Sequence, residues 1–156
     1  MKKVVIVLMF IALFQITCMK VTIVSAQTDQ DTWDIQKVIK EFIESAEYFD
    51  FDSAIQLVSP NYYSSSSRSK NYNAFRTTLQ RGLGYAKEST IDVLVSEIQF
   101  KNLVIQDGKA SVDVEYAYKA YDLDTLKEIS KEIKRNVGLA KEDGVWRITR
   151  WEVKSE

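Results

Sequence analysis

The chain has 156 residues, a formal charge of −1, no histidine and a single cysteine. That length is one domain's worth, and the near-balanced charge argues against a nucleic-acid partner, which would call for a strongly basic surface. The missing histidine removes Ser-His and Cys-His nucleophiles, an imidazole base and imidazole metal ligands, so no metal site or cofactor is expected.

Residues 1–26 read as a secretory signal. Lys2 and Lys3 give a positive start, Val4 to Phe14 is an apolar run of 11, and Val24-Ser25-Ala26 offers small residues at the −3 and −1 positions. The apolar run is too short to span a bilayer alone. An uncleaved anchor from Val4 through Val24 is the alternative. Cys18 follows Gln15-Ile16-Thr17, a poor match to a lipoprotein signal. Cleavage after Ala26 removes Cys18 and three lysines, taking the charge from −1 to −4. The expected destination is periplasmic, extracellular or cell-surface, and export brings no disulfide framework because no cysteine is left.

Gln27 to Asp31 reads as a short polar lead. From Thr32, the apolar residues Ile35, Val38, Ile39, Phe42, Ile43 and Ala46 mark one helix stripe, with Asp31 or Thr32 as its N-cap. A shorter helix starts at Asp50 or Asp52 and stops before Pro60. Tyr62, Tyr63 and the run Ser64 to Ser67 with Arg68 and Lys70 read as a surface loop. Asn71 or Asn73 caps a third helix through Phe75, Leu79 and Leu83 that ends near Gly82 or Gly84.

Thr90 to Gln106 then slips phase more than once, with Ile91, Val93 and Val95 on one face, Ile98 and Phe100 on the other, and Leu103 with Ile105 back on the first. One long bulged strand accounts for this, since each bulge moves the apolar face by a residue. Asp107-Gly108 supplies a hairpin turn. The return strand places Ala110, Val112, Val114, Tyr116 and Tyr118 inward against Ser111, Asp113, Glu115 and Lys119 outward.

Leu126 to Ala140 carries helical spacing and a Thr125/Glu128 capping box. A second hairpin signal, Asp143-Gly144, precedes the strand-like Val145 to Val153, and a hairpin needs a preceding strand. A strand from about Glu128 is therefore expected, with Ile129, Lys131, Ile133, Arg135 and Val137 on one face. The whole reads as α+β, three helices followed by antiparallel strands.

In this order the chain resembles the NTF2-like (SnoaL-like, cystatin-like α+β cone) superfamily. The resemblance covers Thr32 to Val153 and rests on the long first helix, Ser59-Pro60-Asn61-Tyr62-Tyr63, the helix reaching Gly84-Tyr85, the hairpin around Asp107-Gly108, and Leu139-Ala140-Lys141-Glu142-Asp143-Gly144-Val145-Trp146-Arg147-Ile148. It implies three N-terminal helices packed on a curved antiparallel sheet of about four strands, closing around an apolar cavity. The superfamily hosts isomerases, dehydratases, hydrolases and non-catalytic binding domains, so the fold does not choose a function.

In such a cavity the candidate lining residues are Tyr62, Tyr63, Tyr116, Tyr118 and Trp151, with Lys131 and Arg135 available to an anionic ligand. The bland alternatives are core tyrosines with hydroxyls at the rim and cations that snorkel past the core. The serine run could be a lid or a plain flexible loop. Asp122 with Asp124 falls short of a calcium loop, and Trp146 reads as core. No acid is placed inward, so the expected role is non-catalytic binding of a small apolar or amphipathic ligand or a partner protein, as a homodimer through the outer sheet face. An enzyme using Tyr and a carboxylate, or a structural module, are the rivals.

Overall fold

The computed structural model describes residues 28–65, 69–123 and 125–154. The segment 1–26 expected as a signal, residues 66–68 of the serine loop and Asp124 lie outside the described residues. Ile35–Glu156 is one compact unit, and the packing below is that unit's.

Helix α1 spans residues 28–47. It begins before the expected caps. Asp31 and Thr32 both lie within the helix, and Thr32 donates its hydroxyl to the Thr28 carbonyl at 2.9 Å instead of capping. Ile35, Val38, Ile39, Phe42 and Ile43 are buried as their spacing requires. The C-terminus closes with Asp50 N–H on Ser45 O and Phe49 N–H on Ala46 O, and Phe49 takes φ 56 where glycine is usual.

Helix α2 (Phe51–Gln56) is capped by Asp50, which accepts from Ser53 N–H. Helix α3 (Tyr72–Ser89) is capped by Asn71, which accepts from Ala74 N–H. It does not end at Gly82 or Gly84. Neither glycine adopts positive φ, and Ala86, Lys87 and Glu88 are good helix formers that carry it on.

The sheet has strands β1 (Thr90–Val95), β2 (Gln99–Gln106), β3 (Lys109–Asp122), β4 (Lys127–Glu142) and β5 (Val145–Val153). They are antiparallel in the order β1-β3-β4-β5, with β2 also on β3. There are five strands because the stretch expected as one splits at residues 96–98. There Ser96 N–H donates to Ala117 O, and Ala117 N–H donates to Ser96 Oγ. Irregularities at Ile91/Leu94 and Lys101/Val104 supply the phase slips, and Val95, Phe100, Leu103 and Ile105 all pack on the core.

Both Asp-Gly pairs form their turns with two positive φ values, 50 and 68 at Asp107-Gly108, 51 and 82 at Asp143-Gly144. These are the angles of the type I′ hairpin. From Lys127 to Glu142 the ambiguous region is strand, not helix. Its register with β3 pairs Val112 with Val137, Val114 with Arg135, Tyr116 with Ile133 and Tyr118 with Lys131. The core lies between this face and α1, and it includes Trp146, Ile148 and Leu139. The segment after α2 covers the free edge of β5, where Ser59 N–H reaches Ile148 O, Ile148 N–H reaches Leu57 O and Tyr63 N–H reaches Thr149 O.

Candidate functional site

Two surfaces compete for the role of site: the inner sheet face, where the sequence points, and the outer face. On the inner face the Tyr62 side chain is 2% exposed and its ring stacks on Phe75 at 4.4 Å between centroids. Phe42 lies 4.7 Å from Trp151 and 6.4 Å from Phe75. The Tyr62 hydroxyl donates to the Trp151 carbonyl at 3.4 Å. These distances are those of a packed aromatic core. Tyr62 and Trp151 are thus brought together by filling space.

Tyr116 and Tyr118 follow on the same face of β3, half-buried, with Arg135 half-buried on the rung beside Tyr116. Burial raises the Tyr116 phenol above its ordinary range, and the Arg135 charge partly offsets this. Burial likewise raises Tyr62. Arg135 donates from Nη1 to the Lys134 carbonyl. Lys131 is exposed where the hairpin runs past the core.

Six β3–β4 rungs, Ala110/Leu139, Val112/Val137, Val114/Arg135, Tyr116/Ile133, Tyr118/Lys131 and Ala120/Ile129, carry no carboxylate. A neutral phenol beside a guanidinium can donate hydrogen bonds. Proton abstraction needs an acceptor as well, and these rungs offer none. Among the described residues, no three His, Cys, Asp or Glu side chains group as a metal would require.

Tyr63 stands apart from the other tyrosines. In the extended segment after Pro60 successive side chains point opposite ways, so Tyr62 enters the core and Tyr63 lies 63% exposed on the outer side. It borders a groove of about 950 Å3 over the outer face, whose lining includes Asn61, Gln106, Ser111, Gly138 and Arg150. Ser111, Gly138 and Arg150 occupy one rung across β3, β4 and β5. The glycine leaves room for Arg150 to lie close: a Cβ on Gly138 would come within 3.1 Å of Arg150 Cβ, so the arginine would have to shift by a few tenths of an ångström.

A polar network the sequence did not reveal adjoins the groove. Asp113, expected outward and wet, is on the outer face but only 7% exposed. Its carboxylate accepts from Asn102 Nδ2 at 2.8 Å, Asn136 Nδ2 at 2.9 Å and Lys154 Nζ at 3.0 Å. The two asparagine amides and then Lys154 hold its pKa down to about 2. Asn136 in turn accepts from Arg150 Nη2 at 2.7 Å. Asn102 has φ 53 at the β2 bulge, a conformation asparagine tolerates better than most residues.

Neither a family model nor a curated protein sequence matches the chain. Solved structures do. An NTF2-like superfamily protein from Salmonella enterica is similar at TM-score 0.64 and 14% identity, covering 83% of this chain and 94% of that one. A ketosteroid isomerase-like protein from Erwinia carotovora atroseptica is similar at TM-score 0.58 and 13% identity, covering 76% and 90%. An NTF-2 like protein of unknown function from Shewanella oneidensis is similar at TM-score 0.57 and 18% identity, covering 78% and 96%. The fold is that of the NTF2-like superfamily.

Proposed function

We propose that this is an exported, non-catalytic binding module that meets its ligand on the outer face of the sheet. The observation that carries the proposal is the inner face. Six of its rungs hold no carboxylate, and Phe42, Tyr62, Phe75 and Trp151 pack together at the place a cavity ligand would use. Expected from the sequence are a small apolar or amphipathic ligand or a partner protein, and this packing favours recognition at the surface over recognition inside the fold. The isomerase-like neighbour carries no argument for turnover here, because the fold alone does not choose a function.

The test is kinetic. Enolisable ketones, epoxides and hydroxy acids are incubated with the wild type and with Tyr116→Phe. Both are expected to match the buffer rate. Steady turnover by the wild type that falls about a hundredfold in Tyr116→Phe, the size of a lost acid–base group, would refute the binding-module reading.

A further inference from the structure

We infer that the outer-face groove is a carbohydrate site, taking a neutral glycan with a sugar ring stacked on Tyr63. The inference rests on the binding-module reading and gives its ligand a chemical class. Size comes first. About 950 Å3 lies near the upper end of ordinary ligand sites.

Charge comes next. The ionisable residues lining the groove are Asp107, Glu142, Lys109 and Arg150, two of each sign. Such a lining has no net preference for an anionic or cationic chain. Tyr63 and Val104 are the exposed large apolar side chains on its lining. Asn61, Gln106 and Ser111 supply amides and a hydroxyl that both donate and accept. That is the chemistry that pairs with sugar hydroxyls.

The third point is how the rim is held. The Tyr63 backbone is fixed by its N–H on Thr149 O and by a bridge to Asn71, while its ring stays open. Just beyond it, Glu152 accepts from Ser64 Oγ at 2.7 Å and Ser65 N–H at 3.1 Å. Asn61 is steadied by Glu142 at 3.2 Å. On the floor Arg150 lies across Gly138, its guanidinium tied through Asn136 to the buried Asp113. A polar rim fixed before the ligand arrives loses little side-chain entropy on binding. The exposed phenol ring offers a negative π-face to the C–H face of a pyranose. An extended peptide adding to the neighbouring edge of β5 is disfavoured, because residues 57–63 already occupy that edge.

The full chain is titrated calorimetrically with three neutral oligosaccharides: cellohexaose, maltohexaose and N-acetylated chitohexaose. Saturable binding of at least one is expected. Tyr63→Ala should weaken it by at least about tenfold, and Tyr63→Phe, which keeps the ring, should not. Gln106→Ala, remote from the Tyr63 loop in sequence, should weaken it severalfold. Affinity should change by less than about twofold between low and high salt, as the cancelled lining charges require.

The glycan site is overturned if none of the three binds at about 10 mM, a limit weaker than any useful affinity. It is also overturned if Tyr63→Ala leaves binding intact, or if sedimentation shows a dimer that Tyr63→Ala dissociates, since a second copy would then own the groove. Failure on any of these counts without substrate turnover removes the glycan and leaves the binding-module reading in place. Turnover removes that reading itself.

Discussion

Asp113 is the residue whose surroundings most change what its sequence position implies. A carboxylate on the polar face of a strand should be hydrated, yet it is enclosed by two asparagines and a lysine from three other parts of the chain. With its pKa held at about 2 against an ordinary 3.8, the folded protein binds fewer protons than the unfolded chain between those values. Stability from this group is therefore complete above about pH 4 and disappears as the pH falls through about 2. Asp113→Asn should flatten the acid limb of a stability–pH profile in that window. At neutral pH the same variant should lose about 1–3 kcal/mol, the cost of leaving a buried donor unpaired. Urea denaturation at a series of pH values checks both, and a wild-type-minus-variant difference that stays constant from pH 2 to 7 would refute the account.

At the scale of elements, glycine separates what was legible in the sequence from what was not. Gly108 and Gly144 each follow an aspartate between alternating strands, a local signal with one backbone solution, and both take positive φ. Gly82 and Gly84 resemble a helix end in sequence, yet α3 runs through them to Ser89, because a C-terminal glycine stops a helix only when it turns left-handed. One substitution should therefore have opposite signs at the two kinds of site. Gly144→Ala meets open space but a strained backbone, and should cost about 1–2 kcal/mol. Gly82→Ala also meets open space, inside a helix, and should add about 0.5–1 kcal/mol. Denaturant midpoints moving in the same direction for both would contradict the geometry. That β4 is a strand was readable for a similar reason: Asp143-Gly144 forced a strand where local spacing suited a helix. The Asp113 network and the outer groove were not readable. The network joins side chains from Asn102 to Lys154 and the groove joins Asn61 to Arg150, separations that no local pattern in the sequence reports.

For the whole molecule, the proposed export constrains how the chain must fold. Cys18 is the only cysteine, so a chain cut after Ala26 has no thiol to oxidise, and its stability must come from the core around Ile35, Ile39, Val112, Leu139 and Ile148. Such a domain reaches the same folded state in a reducing or an oxidising compartment, unlike small exported scaffolds that depend on disulfides. Two outcomes follow for the expressed full-length chain. Intact mass of the exported protein should correspond to Gln27–Glu156, and Ala26→Arg, which puts a large charged side chain at the −1 position, should leave the precursor uncut. The mature protein should refold from urea with the same midpoint with and without reductant. Retention of Met1 on the exported protein would replace cleavage by an anchored form held through Val4–Val24. A midpoint that falls on reduction would show that Cys18 stays in the mature chain and forms a bond there.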